Sequence, residues 1–139
     1  MELDLLRVFL AALGGFVAYF TVGTLGFVVL PGLKKEFAKY PAVYRGHGGI
    51  MKFMPLGMLA MFVSMLALAV LYALMYHGGP GWLWGLYFGT LIGVFVLCAF
   101  VIHNHVNLNI GWALTIQSGI AYFVEWLVAG IAIGLIYQP

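Results

Sequence analysis

The chain has 139 residues, a length that suits one domain. Hydrophobic residues make up 65% of it and charged residues only 7%, against roughly 25% charged in a soluble globular domain. Six basic and four acidic side chains cannot cover a water-facing surface of this size, which excludes a soluble globular protein, a disordered chain and a nucleic-acid binder. The single cysteine, Cys98, excludes a disulfide framework within the chain.

The apolar residues fall into four long runs. The first, 8–30, carries no charge and stops at Pro31-Gly32. As a helix its 23 residues span roughly 35 Å, enough for a hydrocarbon core of about 30 Å. The second run, 53–76, has Pro55 in its first turn, where a missing N–H costs little. His77-Gly78-Gly79-Pro80-Gly81 then reads as a tight turn. The third run is 82–102, followed by the polar stretch "HNHVNLN", and the fourth is 110–137. Strands are disfavoured, because the runs lack period-2 alternation and an open sheet edge is not tolerated in lipid. The expected fold is therefore all-α: a polytopic membrane protein, one domain over 1–139, folded as an antiparallel up-down bundle of four transmembrane helices. The first run is expected to be a retained helix rather than a cleaved signal peptide, since "MELD" before it is acidic and the run is too long.

Five of the six basic residues, Lys34, Lys35, Lys39, Arg45 and Lys52, lie in the 31–52 loop. The positive-inside rule puts that loop in the cytoplasm and both termini outside. Within it, Lys34 to Lys39 fits a short amphipathic helix on the membrane surface, ending at Pro41, and the loop suits attraction to anionic lipid.

Small residues mark helix-packing faces. Gly85, Gly89 and Gly93 repeat at four-residue spacing on the third run. Gly15 and Gly23 frame Tyr19 on the first, and Gly130 and Gly134 lie on the fourth. In lipid such residues let helices approach closely. Either a self-contained bundle uses all of these faces, or a surplus face meets another subunit. Met54, Met58, Met61 and Met65 recur at helical spacing on the second run. Thioethers can bind copper(I), but flexible apolar filler is the commoner use.

Glu125 is the one ionisable residue deep inside a run, near the middle of the fourth. A charge there is costly unless paired, neutralised or hydrated. The residues at comparable depth, Tyr19, Ser64 and Thr90, together with Tyr122 one turn away on its own helix, offer hydroxyls and no positive charge. Glu125 is thus expected to be protonated at neutral pH, since desolvation disfavours the ionised form. It serves either as a structural hydrogen-bond node or as a proton- or cation-coupling site. His47, His103 and His105 fall at the end that carries the basic loop. Three imidazoles could hold a transition metal, and paired axial histidines a haem, but the spacing favours a polar role at helix ends. No cofactor is expected, and no nucleophile elbow, phosphate loop or paired-carboxylate signature occurs.

The segments "GLYFGTLIGVF" and "EWLVAGIAIGLIYQP" resemble uncharacterised bacterial four-helix integral membrane proteins of the domain-of-unknown-function type. The resemblance covers about the C-terminal half; it implies four spans in a bacterial inner membrane and no activity. In size the chain is similar to small multidrug-resistance transporters, whose membrane glutamate lies in the first helix, whereas Glu125 lies in the last. The sequence supports first a small non-enzymatic membrane protein, a structural or accessory subunit whose partners are the lipid bilayer and other membrane subunits or itself. The alternative is a proton- or cation-coupled small transporter or channel centred on Glu125. A haem- or metal-binding redox protein using the three histidines is third.

Overall fold

The computed structural model describes residues 3–138; Met1, Glu2 of the acidic flank and the terminal Pro139 lie outside the described residues. Four helices are long and apolar enough to cross a membrane, and the fold is the expected all-α four-helix bundle. Helix α1 spans Leu5–Val29 and begins at Asp4, whose carboxylate accepts from the Arg7 N–H at 3.0 Å. It stops at Leu30, because a residue before proline is pushed out of the helical region. The expected surface helix is α2, Pro31–Ala38, with Pro31 in its first turn.

Helix α3, His47–Met75, starts six residues earlier than the apolar run. Gly46 is its N-cap, and the Gly48-Gly49 pair inside the first turn does not stop it. The boundary of 53 is therefore corrected to 47, and Pro55 lies within the helix rather than in its first turn. Its missing N–H removes one bond, which a long helix tolerates. Gly78 and Gly79 make the following turn with φ near +101° and +98°, a backbone that side-chain-bearing residues rarely adopt. Helix α4, Gly81–Asn107, runs five residues past the expected end at 102. "HNHVN" continues the helix because it holds neither glycine nor proline, and the break comes at Leu108. Leu97–Ile102 within α4 is a π-helical turn. Helix α5 is Trp112–Ile136.

Across the bundle the order is α3, α1, α5, α4, so the last helix is an inner one. One face of α5 meets α4 through glycines on both sides. A Cβ on Gly130 would lie 2.4 Å from the Gly89 Cα, and one on Gly85 2.5 Å from the Gly130 carbonyl oxygen. Gly81 extends the stripe by a turn, against Gly134. With no hydrophobic force between helices in lipid, this close backbone packing is what holds them together. The other face of α5 meets α1: Gly15 lies against Ile133 and Gly23 against Glu125. All the glycine faces singled out in the sequence are thus occupied inside the chain.

The two ends are closed differently. At the end holding the 76–80 turn, Tyr72, Tyr76, Tyr137 and Phe88 form an aromatic cluster. The Tyr72 hydroxyl donates to the Gly81 carbonyl at 3.2 Å, and the Arg7 guanidinium donates to the Gln138 carbonyl. At the lysine-rich end, the 31–46 segment folds over the bundle. Leu33, Ile110 and Leu114 make a small second core, and the Gly111 N–H donates to the Tyr40 hydroxyl at 2.8 Å. Tyr40→Phe removes that acceptor while keeping the ring, so it should lower stability by about 1 kcal/mol. A shift of the unfolding midpoint in detergent titration, with the four spans intact, checks this.

Candidate functional site

Glu125 is buried on α5 with 6% of its surface exposed. Small residues make the room: its carboxyl oxygen lies 3.0 Å from where a Cβ on Gly23 would stand. Of the neighbours expected at its depth, Tyr19 and Tyr122 lie beside the carboxyl. The Tyr19 ring packs against Trp126 with centroids 5.0 Å apart. The charge-bearing groups on α1 and α3 are far from this point in sequence: Asp4 and Arg7 at one end of α1, His47 and Lys52 at the start of α3.

Ser64 and Thr90 are not partners of the carboxyl. Thr90 donates to the Leu86 carbonyl at 2.7 Å on its own helix, and Ser64 to that of Ala60 at 2.9 Å. A membrane helix often satisfies a hydroxyl in this way, through the carbonyl four residues back. Equal depth therefore did not imply contact. Ser64 and Tyr122 nevertheless line the same space: a cavity of about 420 Å³.

That cavity runs from the lysine-rich end to the middle of the bundle. Its inner end is Tyr19, Tyr122 and Trp126, the residues next to Glu125. Met61 and Ser64 of α3 form one side, and Val96, Phe100, Val101 and Asn104 of α4 the other. Phe100 and Val101 belong to the π-helical turn, so the widened backbone of α4 is part of this wall. Helices α3 and α4 meet at the aromatic end, where the Tyr72 and Phe88 rings are 5.5 Å apart. Towards the lysine-rich end the cavity occupies the space between them. Ser64 and Phe100 line it and are also exposed, so it opens sideways between the two helices. Phe37 and Tyr44, from the segment over the end, form its mouth, with ring centroids 4.7 Å apart. Burial of the Tyr44 phenol pushes its pKa up, so it remains a neutral donor.

The histidines do not converge. Among the described residues no three His, Cys, Asp or Glu side chains could share a metal ion. His47, His103 and His105 are not brought together as such a group. His47 and His103 are exposed, whereas His105 stacks on Trp112 at 3.8 Å and its Nδ1 lies 2.9 Å from the Thr115 hydroxyl. The methionine stripe is likewise divided. Met65 is in the core, Met61 faces the cavity, and Met54 and Met58 are exposed.

Reasoning from the sequence missed the mouth, because Phe37 and Tyr44 read as loop aromatics in a lysine-rich segment. Asn104 was visible in the polar "HNHVNLN" stretch and Ser118 on the small-residue face of Glu125, but nothing in the sequence joined either to a cavity. No protein-family model, curated protein or solved structure matches the chain.

Proposed function

We propose that this integral membrane protein is a proton-coupled carrier or channel for a small solute, with Glu125 as the group that takes up and gives back the proton. One observation carries the reading: the single buried carboxyl of the spans lies directly behind Tyr19, Tyr122 and Trp126, which line a cavity of about 420 Å³, a size ordinary for small-molecule sites. An ionisable group within the membrane and next to such a space points to an ion or substrate pathway. Beside the sideways opening, access from water is at one end only. The cavity leads to the lysine-rich end, whereas glycine packing and the aromatic cluster close the opposite end. A carboxyl so placed holds its proton while the cavity is dry and releases it when water or a solute brings polarity to Tyr19 and Tyr122.

The accessory-subunit reading keeps one observation in its favour. Residues 51–60 of α3 are exposed all round. The glycine faces of α4 and α5 do not support it, since they are filled from within the chain, whereas Gly26 and Gly57 face open space.

The test is proton movement in proteoliposomes carrying a trapped pH dye, with a panel of small solutes added outside. Wild-type protein should move protons in a solute-dependent way, and Glu125→Gln should not. Equal signals from the two proteins, or none from wild type with any solute, would overturn the reading. The five basic residues of the lysine-rich end support a cytoplasmic position for it. A reporter fused after residue 139 should therefore read out on the outer side.

A further inference from the structure

We infer that the cavity takes a single-chain anionic amphiphile, its chain lying between α3 and α4 and its headgroup at the basic mouth. The inference rests on the cavity assigned above as the solute site. Three features of that cavity select this class of ligand.

The first is the lining. It is mostly aromatic and aliphatic: Met61, Val96 and Phe100 along the sides, with Trp126 at the inner end. A strongly polar solute would lose its hydration here with few partners in return. The second is the sideways opening at Ser64 and Phe100, which lets a chain enter from the bilayer without leaving the apolar phase. The third is charge at the mouth. Phe37 and Tyr44 belong to the segment that carries Lys34, Lys35, Lys39 and Arg45, and Lys52 follows in the first turns of α3. The only acid among them is Glu36, which is paired with Lys39. Lys34, Lys35 and Arg45 remain exposed, and the Arg45 guanidinium lies over the Phe53 ring at 4.1 Å. An organic cation would meet repulsion at this entrance, whereas an anionic headgroup is attracted to it. Asn104 and the Tyr44 hydroxyl are the neutral polar groups nearest that end of the cavity.

The inner end fits the same ligand. Tyr19, Tyr122 and the carboxyl of Glu125 carry no positive charge, so the anionic head has no counter-charge there and stays at the mouth. The chain then reaches the middle of the bundle. Its presence at Tyr19 and Trp126 decides how much water stands next to Glu125, which links occupancy to the proton.

Trp126 supplies the measurement. The protein is placed in nanodiscs of zwitterionic phosphatidylcholine and titrated with lysophosphatidylglycerol whose chain is brominated. The quenching lost in Trp126→Phe is the signal from the cavity. That signal should saturate, and Ser64→Phe, which puts a ring into the opening, should remove it. The double variant Lys35→Glu/Arg45→Glu should weaken the lysophosphatidylglycerol about tenfold or more while leaving brominated lysophosphatidylcholine unchanged. Linear quenching, equal for the two headgroups and unchanged by either variant, is simple partition into the bilayer and overturns the inference. Saturable binding without proton movement upholds it and overturns the carrier reading. Proton movement driven by other solutes, with no saturable quenching, does the reverse.

Discussion

Gly130→Leu is expected to prevent α4 from seating on α5, at a cost of about 3 kcal/mol. The atoms in the way are backbone. Any Cβ at Gly130 meets the Gly89 Cα at 2.4 Å, the Gly89 nitrogen at 2.6 Å and the Gly85 carbonyl oxygen at 2.7 Å. No rotamer change relieves that contact, so one helix has to move away along its whole length, and every glycine contact from Gly81 to Gly93 goes with it. The control is within the same chain. At Gly26 and Gly57 a Cβ would meet nothing within 4 Å. Alanine at either should change stability by about 0.5 kcal/mol or less. Unfolding followed by detergent titration separates the two classes. A Gly130→Leu protein as stable as wild type would mean that the α4–α5 interface is not the one described.

Glu125→Gln should leave the fold standing and abolish proton coupling. The carboxamide has nearly the shape of a carboxylic acid and keeps the capacity to bond with the Tyr19 hydroxyl. If the resting state is the neutral acid, the change in stability stays within about 1 kcal/mol. Proton movement should fall to the level of empty liposomes, because an amide has no proton to give up at physiological pH. Infrared difference spectra give a second readout: the band of a protonated carboxylic acid should be present at neutral pH in wild type and missing in the variant. The opposite pattern, a large loss of stability with proton movement retained, would make Glu125 a structural node.

The four spans were legible because composition alone decides them. Their ends were less so. His47 to Lys52 has the charge and glycine content of a loop, yet it is helical, because Gly46 and not Gly48 ends the preceding segment. "HNHVN" has the polarity of a break, yet no residue in it opposes a helix. The site was half legible. A lone carboxylate in an apolar run is visible at once, and Tyr19 and Tyr122 follow from depth and from the spacing on α5. Thr90 and Ser64 show the limit of depth as a guide, since two residues at one level can face different sides of the bundle. The cavity was not legible at all. It exists because α3 packs chiefly on α1, with residues 51–60 left exposed, and because α4 widens into a π turn, and neither event has a signature in "VLCAFVIHN" or "MKFMPLGMLA".

The inner position of α5 bears on how the molecule is made. Helices α1, α3 and α4 leave the ribosome before the helix that joins them. Until α5 arrives, the glycine stripe of α4 has only lipid to meet, and α1 has a partner on one side only. Assembly of the bundle must therefore follow insertion of the last span, and a chain whose synthesis is interrupted before Trp112 should be left as loosely associated helices open to membrane quality-control proteases.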